Sequence, residues 1–470
     1  PPHTKKLNWA SAAGASTHND EKHGLLKKGK RWMIHFYELA SLGAEQRQRL
    51  LRRAEIEIDE LLEYVRPLIK QVRERGDEAV VEMTAQFDRV QLDPAQLRVT
   101  RAEIEEAHAT LDPEVRGALE TAIANVRAFH ARQMPQEQWF TEVAPGVVAG
   151  EQVTPITSVG LYVPRGKGSF PSVMYMLAAP ASIAGVPRIV VCTPPTPDGS
   201  VDAASLVAAD LCGVHEIYRV GGVQAIAALA YGTRSIARVH KITGPGSGYV
   251  TAAKRLLYGT VDVGLPAGPS ESITLADASA NPELLARDLL IEQEHGPDSS
   301  ALLVTPDRAI AEAVLKLLPE KIAALPEPRQ RFVRTGLESE HGTGAIVLTS
   351  NLDEAITFIN EYAPEHLEVQ VREPFAILPR LKNAGEILIG QYTPFSTGNY
   401  AVGTNAILPT GGKAHTYSCT SVYDFLKRTG IAYVKAEGYP TISATVQTLA
   451  DFEGFPAHAS AVRNRPVDAQ

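Results

Sequence analysis

The sequence predicts an α/β protein with two Rossmann-like parallel-sheet domains, a helical N-terminal region and a small helical C-terminal tail. From residue 158 onward, short apolar runs alternate with helical segments, as in a series of βαβ units. Glycine and proline cluster where the strands should end, as in residues 164–168 and 244–248. The chain of 470 residues is long enough for about two to four domains, each with its own core.

The N-terminal part of the chain divides into a leader and a helical region. Residues 1–32 are polar and basic and lack hydrophobic periodicity, so we expect a disordered or non-native leader. Apolar residues recur at helical spacing in residues 44–75 and again in residues 101–133. Residues 33–157 are therefore predicted to form a helical region, which packs in part with the second α/β domain.

The first α/β domain is predicted to span residues 158–268. Its shorter apolar runs predict strands and its longer runs predict helices, because strands are typically the shorter elements. We expect strands at residues 159–163, 189–192 and 217–220, and helices at residues 170–184, 203–211, 223–230 and 249–257.

The second α/β domain is predicted to span residues 269–418 and the C-terminal tail residues 419–470. Residues 393–416 form a loop rich in Gly, Thr and Asn that is too long for a simple connector, and such loops often carry function. The tail should contain Glu453 and His458 on helices. We expect strands at residues 273–275, 301–304, 345–348 and 387–389, and helices at residues 282–294 and near residues 423–428.

The composition argues against nucleic acid and membranes as partners. The formal net charge of -8 is mild for this length, and no basic stripe with interleaved aromatics occurs. No apolar run reaches the roughly 18 residues that a membrane span needs. The three cysteines, Cys192, Cys212 and Cys419, are widely spaced without a CxxC pair, which suits a reducing compartment without disulfides. We therefore expect a cytoplasmic protein that acts on a small molecule.

Two Glu/His pairs suggest chemistry in the second α/β domain. Glu292 and His295 lie one turn apart on one face of a predicted helix, which is half of a metal site. Glu365 and His366 follow Pro364, and together they could act as acid and base. Each pair has an ordinary alternative. A Glu and a His three apart often only face water, and adjacent side chains of an extended segment point to opposite sides. The two pairs together favour acid/base chemistry beside a metal.

A glycine-rich segment at residues 244–248 (GPGSG) precedes a predicted helix. Its backbone N–H groups and the helix N-terminus could bind a phosphate. The segment does not match GxGxxG, and glycines that only form tight turns are an equally good interpretation.

Five motifs occur in one order: VGLYVP at residues 159–164, VGGVQAIAAL at 220–229, PAGPSE at 266–271, EHGPDS at 294–299 and APEHL at 363–367. Together they resemble the histidinol dehydrogenase family over about residues 34–464. The resemblance implies a zinc- and NAD-dependent oxidation of a primary alcohol through an aldehyde to a carboxylate. Two hydride transfers occur in one site, so two NAD are reduced for each product.

The resemblance also assigns catalytic and cofactor-binding roles by position. His366 corresponds to the general base, and Glu365 to the residue that activates water for the second step. Residues 158–268 would bind NAD, with contacts from Tyr162, Gln224 and Ser247, the last of which is asparagine in typical members. A thioester mechanism would need a cysteine nucleophile, whereas Cys192 and Cys212 are expected to be small buried side chains.

The resemblance further implies a homodimer with shared active sites. His458 corresponds to a zinc ligand that the family supplies from the partner subunit, so the tail should reach the partner. The implied metal ligands are Glu292, His295, Asn399 and His458. The implied substrate-binding residues are Ser270, Glu292, His295, His366, Asn399, Glu453 and His458.

The zinc shell departs from the family, where the ligands are Gln, His, Asp and His. Here a carboxylate is gained at Glu292 and one is lost at Asn399. The charge around the metal is thereby conserved, and we expect the metal to be retained.

The substrate pocket departs further. Phe395 stands where typical members have Glu, and Ala406 where they have His. Both changes remove partners for an aminoalcohol that bears a basic ring, so histidinol should bind less well. Lys413 and His415 enter the same loop, and a cationic pocket would favour an anionic alcohol, although solvent exposure is the more ordinary interpretation of Lys413.

Three hypotheses follow from these departures. The Glu/Asn exchange is similar to that of sulfopropanediol dehydrogenase, a branch that oxidises a small sulfonated diol to its carboxylic acid. The alternative is an L-histidinol dehydrogenase of histidine biosynthesis whose zinc shell has drifted. A third is a catalytically inactive scaffold that binds NAD or metal, against which the intact Glu365–His366 pair argues.

Overall fold

The computed structural model describes residues 34–53, 58–165, 168–339, 342–463 and 465, so the predicted leader at residues 1–32 lies outside the described residues. Within them the fold is mixed α/β with parallel sheets, as predicted. The strands are β1 (Phe36–Glu38), β2 (Gln138–Ala144), β3 (Val147–Pro155), β4 (Ser158–Tyr162), β5 (Arg188–Cys192), β6 (Glu216–Tyr218), β7 (Lys241–Thr243), β8 (Glu271–Ala276), β9 (Ser300–Thr305), β10 (Ala345–Leu348), β11 (His366–Gln370), β12 (Glu386–Ile389) and β13 (Leu426–Val434). The helices are α1 (Ala44–Arg52), α2 (Ile58–Arg75), α3 (Asp77–Met83), α4 (Arg101–Thr110), α5 (Pro113–Ala131), α6 (Pro171–Ile183), α7 (Ala203–Leu211), α8 (Gly222–Tyr231), α9 (Gly248–Leu257), α10 (Pro282–Ile291), α11 (Arg308–Ala323), α12 (Arg329–Glu338), α13 (Leu352–Tyr362), α14 (Pro374–Ile377), α15 (Phe395–Tyr400), α16 (Tyr439–Phe452) and α17 (Pro456–Arg463).

The first parallel sheet has the strand order β6-β5-β4-β7. Its central strand β4 is buried at every position, because helices cover both faces of the sheet. On one face α6 and α7 pack with the N-terminal helices α4 and α5. On the other face α8 and α9 pack with α2 and α3. This is the βαβ series that the alternating apolar runs predict, whereas the short strand β7 was not predicted.

The second parallel sheet has the strand order β1-β10-β9-β8-β11-β12. The N-terminal strand β1 completes one edge by pairing with β10, with Phe36 opposite Ile346. Leu39 and α13 cover one face of the sheet. The other face packs against α10, α11 and α12. At the opposite edge β11 pairs with β8 and β12, which fixes the side chains of all three strands in one register.

A third, antiparallel sheet joins the predicted helical region to the C-terminal tail, in the order β13-β3-β2. The expected helix near residues 423–428 is wrong, because only a 3-10 turn precedes β13 there. Strand β13 pairs antiparallel with β3 along its whole length, from Leu426 opposite Pro155 to Val434 opposite Val147. The helices α16 and α17 follow and pack on each other. We call this sheet and these two helices the arm.

None of the helices in the described residues is both long enough and apolar enough to cross a membrane.

Candidate active site

A cavity of about 480 Å³ lies between the two parallel sheets. Arg165 and Ser247, which follow β4 and β7, line it at the carboxyl ends of the first sheet. Ser270 and Glu365, which directly precede β8 and β11, line it at the amino ends of the second sheet. Ligands of open α/β sheets bind outside the carboxyl ends of the strands. The usual binding edge of the first sheet therefore faces Ser270 and Glu365 of the second sheet across the cavity.

Glu292, His295 and Asn399 converge in this cavity. Glu292 directly follows α10 and is fully buried, and its Oε1 accepts a hydrogen bond from Asn399 Nδ2 at 2.7 Å. Its Oε2 lies 2.7 Å from His295 Nδ1. Neither of these two atoms forms a hydrogen bond with any residue that the structure describes. Burial acts to raise the pKa of Glu292, but His295 and His366 outweigh it and hold that pKa at about 2.

This donor set fits a divalent cation such as zinc. A buried carboxylate that faces an imidazole without a hydrogen bond is the arrangement that a shared cation would satisfy, and both groups are ordinary zinc ligands. Within the described part of the chain, no three His, Cys, Asp or Glu side chains form a metal-binding group. Of the other two ligands that the resemblance implies, Asn399 is an amide and His458 lies on the arm, in α17, so neither adds a third such side chain to Glu292 and His295.

Glu365 and His366 meet in the cavity although they are adjacent in sequence. Glu365 lies in the loop before β11, and its Oε2 accepts a hydrogen bond from the Glu271 N–H at 2.8 Å. Its Oε1 lies 3.8 Å from His366 Nε2. Burial raises the pKa of Glu365 well above its usual value. Burial acts to lower the pKa of His366, but Glu292, Glu365 and Glu386 outweigh it and raise that pKa to about 10. The pair thus combines a proton-holding carboxyl with a basic imidazole.

The residues assigned to NAD lie at the binding edge of the first sheet. Tyr162 ends β4, and its hydroxyl accepts a hydrogen bond from the Gly222 N–H at 3.1 Å. Gln224 is buried in α8, and its Nε2 donates to Asp88 Oδ2 at 3.4 Å; neither Tyr162 nor Gln224 lines the cavity. Gln224 Oε1 has no hydrogen-bond partner among the described residues. Ser247 lines the cavity as the residue before α9, and its side chain does not cap that helix.

The glycine-rich segment at residues 244–248 packs closely against the end of β4. Gly244 has a φ of 125°, and a Cβ there would lie 2.1 Å from the carbonyl oxygen of Tyr162. Only glycine fits such a close approach at positive φ. The segment therefore brings the N-terminus of α9 to the cavity wall.

The positions assigned to the substrate are divided between the cavity and the arm. Ser270 and Ala406 line the cavity. Phe395 is fully buried, with its ring edge-on to that of His366 and the centroids 6.0 Å apart. Glu453 and His458 are exposed at the surface of the arm, and in the described part of this chain they do not line the cavity.

Solvent exposure, the more ordinary interpretation of Lys413, is confirmed, and neither Lys413 nor His415 lines this cavity. Lys413 lines a second cavity, and His415 is exposed, with Nε2 3.3 Å from the carbonyl oxygen of Glu361. Two glycines at positive φ, Gly411 and Gly412, turn the chain away just before these residues.

Two arginines line the cavity instead, Arg165 and Arg329. Arg329 opens α12, and its Nη1 donates to the carbonyl oxygen of Glu294 at 2.9 Å. The sequence analysis missed Arg329 because α12 was not predicted. It also missed Glu386, which accepts a hydrogen bond from His366 Nδ1 at 2.6 Å.

The cysteines of the first domain are buried, as expected. Cys192 ends β5 and Cys212 follows α7. Burial raises the pKa of both thiols, which disfavours the thiolate that a nucleophile requires.

Comparison with known proteins places the chain in one family. The family model described as Histidinol dehydrogenase matches residues 51–466. The chain is 52% identical over 433 residues to the protein named Histidinol dehydrogenase of a Synechocystis species, covering 92% of this chain and 99% of that protein. It is 49% identical over 429 residues to a Histidinol dehydrogenase homolog of Rhizobium meliloti, covering 91% and 94%. The crystal structure of histidinol dehydrogenase from Elizabethkingia anophelis superposes with a TM-score of 0.86 at 33% identity, covering 92% of this chain and 98% of that one. The chain therefore belongs to the histidinol dehydrogenase family and is an oxidoreductase of that family.

Proposed function

We propose that this protein is a zinc- and NAD-dependent dehydrogenase that oxidises a small anionic primary alcohol, such as 2,3-dihydroxypropane-1-sulfonate, through the aldehyde to the carboxylate. The observation that carries the substrate class is the pair of guanidinium groups, Arg165 and Arg329, in the cavity wall. Guanidinium groups match the planar, multi-oxygen faces of anions. Asp298 also lines the cavity, so the wall is mixed in charge, and the arginines would provide its anion-binding part.

We assign His366 as the general base of the first oxidation step. His366 Nε2 faces Glu365 and takes the hydroxyl proton of the alcohol while the carbon transfers a hydride to NAD. Glu292, His295 and Asn399 would hold zinc, which when bound polarises the hydroxyl oxygen of the substrate. The product of this step is the aldehyde, which stays in the cavity.

The second oxidation step requires water to add to the aldehyde before a second hydride can leave. Glu365 is suited to this step because it lies in the cavity wall and its Oε2 is fixed by the Glu271 N–H. Its carboxylate form takes one proton from the water as the C–O bond forms. The hydrate oxyanion formed in this way transfers the second hydride to a second NAD. The resulting carboxylic acid releases its remaining proton and leaves as the carboxylate.

NAD is proposed to bind at the carboxyl ends of the first sheet, on Tyr162, Gln224 and Ser247. Support comes from the buried, unpartnered Gln224 Oε1 among the described residues and from the α9 N-terminus at the cavity wall. A helix N-terminus attracts phosphate through its free N–H groups and its dipole.

We further propose a homodimer in which the arm of one subunit supplies Glu453 and His458 to the active site of the other. The cavity holds three of the four assigned metal ligands, and the fourth is exposed on the arm. Zinc sites commonly have four ligands, so a partner's imidazole would complete the shell.

L-Histidinol is the second candidate substrate. The observation in its favour is the 52% identity to a Synechocystis protein that bears the name Histidinol dehydrogenase. Against it, Phe395 and Ala406 leave the pocket without the Glu and His that a basic ring and an amine would use.

The test is NADH formation by the zinc-loaded protein with each alcohol in turn, measured per substrate consumed. Two NADH per sulfonate and little from L-histidinol would support the anionic substrate, whereas two per histidinol would reverse the preference. No NADH from either alcohol would favour the inactive scaffold.

The substitution Arg329→Gln should raise KM for the sulfonate. The control is Arg331→Gln, which changes an exposed arginine of the same helix and should leave that KM unchanged.

A further inference from the structure

Glu386 lies directly opposite His366 on the neighbouring strand. The two residues are register partners in the parallel pair β11–β12, and His366 Nδ1 lies 2.6 Å from Glu386 Oε1. Both side chains are almost completely buried, at 3% and 4% exposure. The contact is therefore fixed by strand pairing and is sheltered from solvent.

The carboxylate of Glu386 is itself held in place. Its Oε2 accepts a hydrogen bond from Thr404 Oγ1 at 3.1 Å. Gly398 leaves the space that the carboxylate fills, because a Cβ at Gly398 would lie 2.8 Å from Glu386 Oε1. On another side of the imidazole, the Phe395 ring stands edge-on. The imidazole ring thus has one carboxylate partner at Nδ1 and an apolar wall beside it.

This arrangement determines which nitrogen of His366 can act as a base. A carboxylate only accepts hydrogen bonds, so Nδ1 must carry the proton of the short contact with Glu386. The lone pair of the neutral ring then lies at Nε2, which faces Glu365 and the cavity. After proton uptake at Nε2, the imidazolium remains paired with Glu386.

We propose that Glu386 is a positioning residue that holds His366 in the Nδ1–H form and stabilises its imidazolium. The proposal deepens the proposed function and rests on His366 as its general base. Glu386 was not among the residues assigned by position, and it acts through His366 without touching the substrate.

The kinetic test uses Glu386→Gln in the full-length, zinc-loaded protein, with whichever alcohol the unmodified protein oxidises. We expect kcat to fall roughly 100-fold, because an amide cannot stabilise the imidazolium as a carboxylate does. KM for the alcohol and the zinc content should stay within about twofold, because neither depends on transition-state charge. The matched control is Glu338→Gln, a buried glutamate paired with Arg334 in α12, which should leave kcat unchanged.

The pH profile separates positioning from a structural role. The charged groups that face His366 are Glu292, His295, Glu365, Glu386 and Glu271. Loss of the Glu386 charge lowers the pKa of His366, so the acid limb of kcat should move to lower pH in Glu386→Gln. A variant with kcat within about twofold of the unmodified protein and an unmoved acid limb would overturn the proposal.

A measurement on the protein with Glu386 intact tests the proposal even if the Glu386→Gln variant fails to fold. Nitrogen-15 NMR of histidine-labelled, zinc-loaded protein, titrated toward alkaline pH and with His366→Gln to assign the signal, should report that Nε2 loses its proton while Nδ1 keeps it. Loss of the Nδ1 proton with Nε2 still protonated would overturn the proposal. This result needs no substrate, so it stands apart from failure of the proposed function, which would appear as no NADH from either alcohol.

Discussion

His295 carries a nitrogen that faces the buried carboxylate of Glu292 at 2.7 Å. If these atoms share zinc, His295→Ala removes one ligand and should abolish both stoichiometric zinc and NADH formation while the fold persists. Zinc per chain is measured by atomic emission after dialysis, and the fold by circular dichroism.

The matched control for that substitution is His415→Ala, which removes an exposed histidine outside the cavity. This control should retain both zinc and activity. Full zinc content in His295→Ala would remove His295 from the metal shell and, with it, the interpretation of the Glu292–His295 contact.

Glu368 and Asp288 form a second buried carboxyl pair, behind the active site. Gln370 Nε2 donates to Asp288 Oδ2 at 3.0 Å and to Glu368 Oε1 at 2.6 Å, and Thr274 donates to Glu368 Oε2 at 3.1 Å. Burial, reinforced by the charge of Asp288, raises the pKa of Glu368 well above the usual carboxyl range. The folded protein therefore keeps a proton here that the unfolded chain has lost at neutral pH.

The sign of the resulting pH dependence follows from this raised pKa. The stabilising contribution is complete below the unfolded pKa, near 4.5, and is lost as the pH rises through the folded pKa. Glu368→Gln replaces the protonated acid with a neutral amide, so between the unfolded pKa near 4.5 and the raised folded pKa the free energy of unfolding should fall less steeply with pH, by up to about 1.4 kcal/mol per pH unit. Urea unfolding at a series of pH values measures this. The control Glu312→Gln, exposed on α11, should follow the unmodified curve, and a parallel curve for Glu368→Gln would contradict the prediction.

Single residues differ in how far the sequence could predict them. Glu292, His295 and the Glu365–His366 pair are local patterns, and the structure brings all four into one cavity. Glu386 could not be predicted, because its contact with His366 depends on the register of two strands. Such a register is set by packing across the whole sheet.

The segment between β7 and α9 is the element on which the proposed NAD site depends most directly. Gly244→Ala would place a Cβ 2.1 Å from the carbonyl oxygen of Tyr162 at a φ of 125°. Such strain costs about 1–3 kcal/mol. We expect the segment to move away from β4, with a lower melting temperature and weaker binding of NAD.

Calorimetric titration with NAD and thermal unfolding measure the two effects. Gly430→Ala is the matched control, because a Cβ there meets nothing within 4 Å. Unchanged NAD affinity in Gly244→Ala would show that the segment does not form part of the cofactor site.

Most strands of the parallel sheets were predictable because their apolar runs are buried on both faces, whereas β1, β7 and β11 were not predicted. The helix predicted at residues 203–211 and the strand predicted at residues 345–348 have the limits of α7 and β10. The arm was not predictable in the same way. Strand β13 is mostly exposed and is held by pairing with β3, far away in sequence, so neither hydrophobic period nor length identifies it.

At the scale of the whole molecule, the arm exposes several large apolar side chains. Phe452 is 90% exposed, Tyr433 62% and Val143 61%. Large apolar side chains exposed on one part of a fold often mark an interface with another chain. The arm also carries Glu453 and His458, which in the proposed dimer would reach the active site of the partner.

Mixing two inactive variants tests whether active sites are shared across subunits. His295→Ala lacks a ligand in the cavity, and His458→Ala lacks the ligand on the arm. If His458 acts in the partner's site, a mixed dimer contains one complete site, formed by the cavity of the His458→Ala chain and the arm of the His295→Ala chain. Random reassortment of equal amounts should then restore about a quarter of the unmodified activity, since half of the dimers are mixed and each has one intact site of two.

Reassortment is achieved by unfolding and refolding the variants together, and each variant refolded alone is the control. If His458 instead reached the cavity of its own chain, every mixed dimer would contain two damaged sites, and no activity would return. Recovery would also require that the protein is at least dimeric, which sedimentation equilibrium of the unmodified chain measures independently. A monomer with full activity would exclude the shared site altogether, because one chain would then have to supply every zinc ligand.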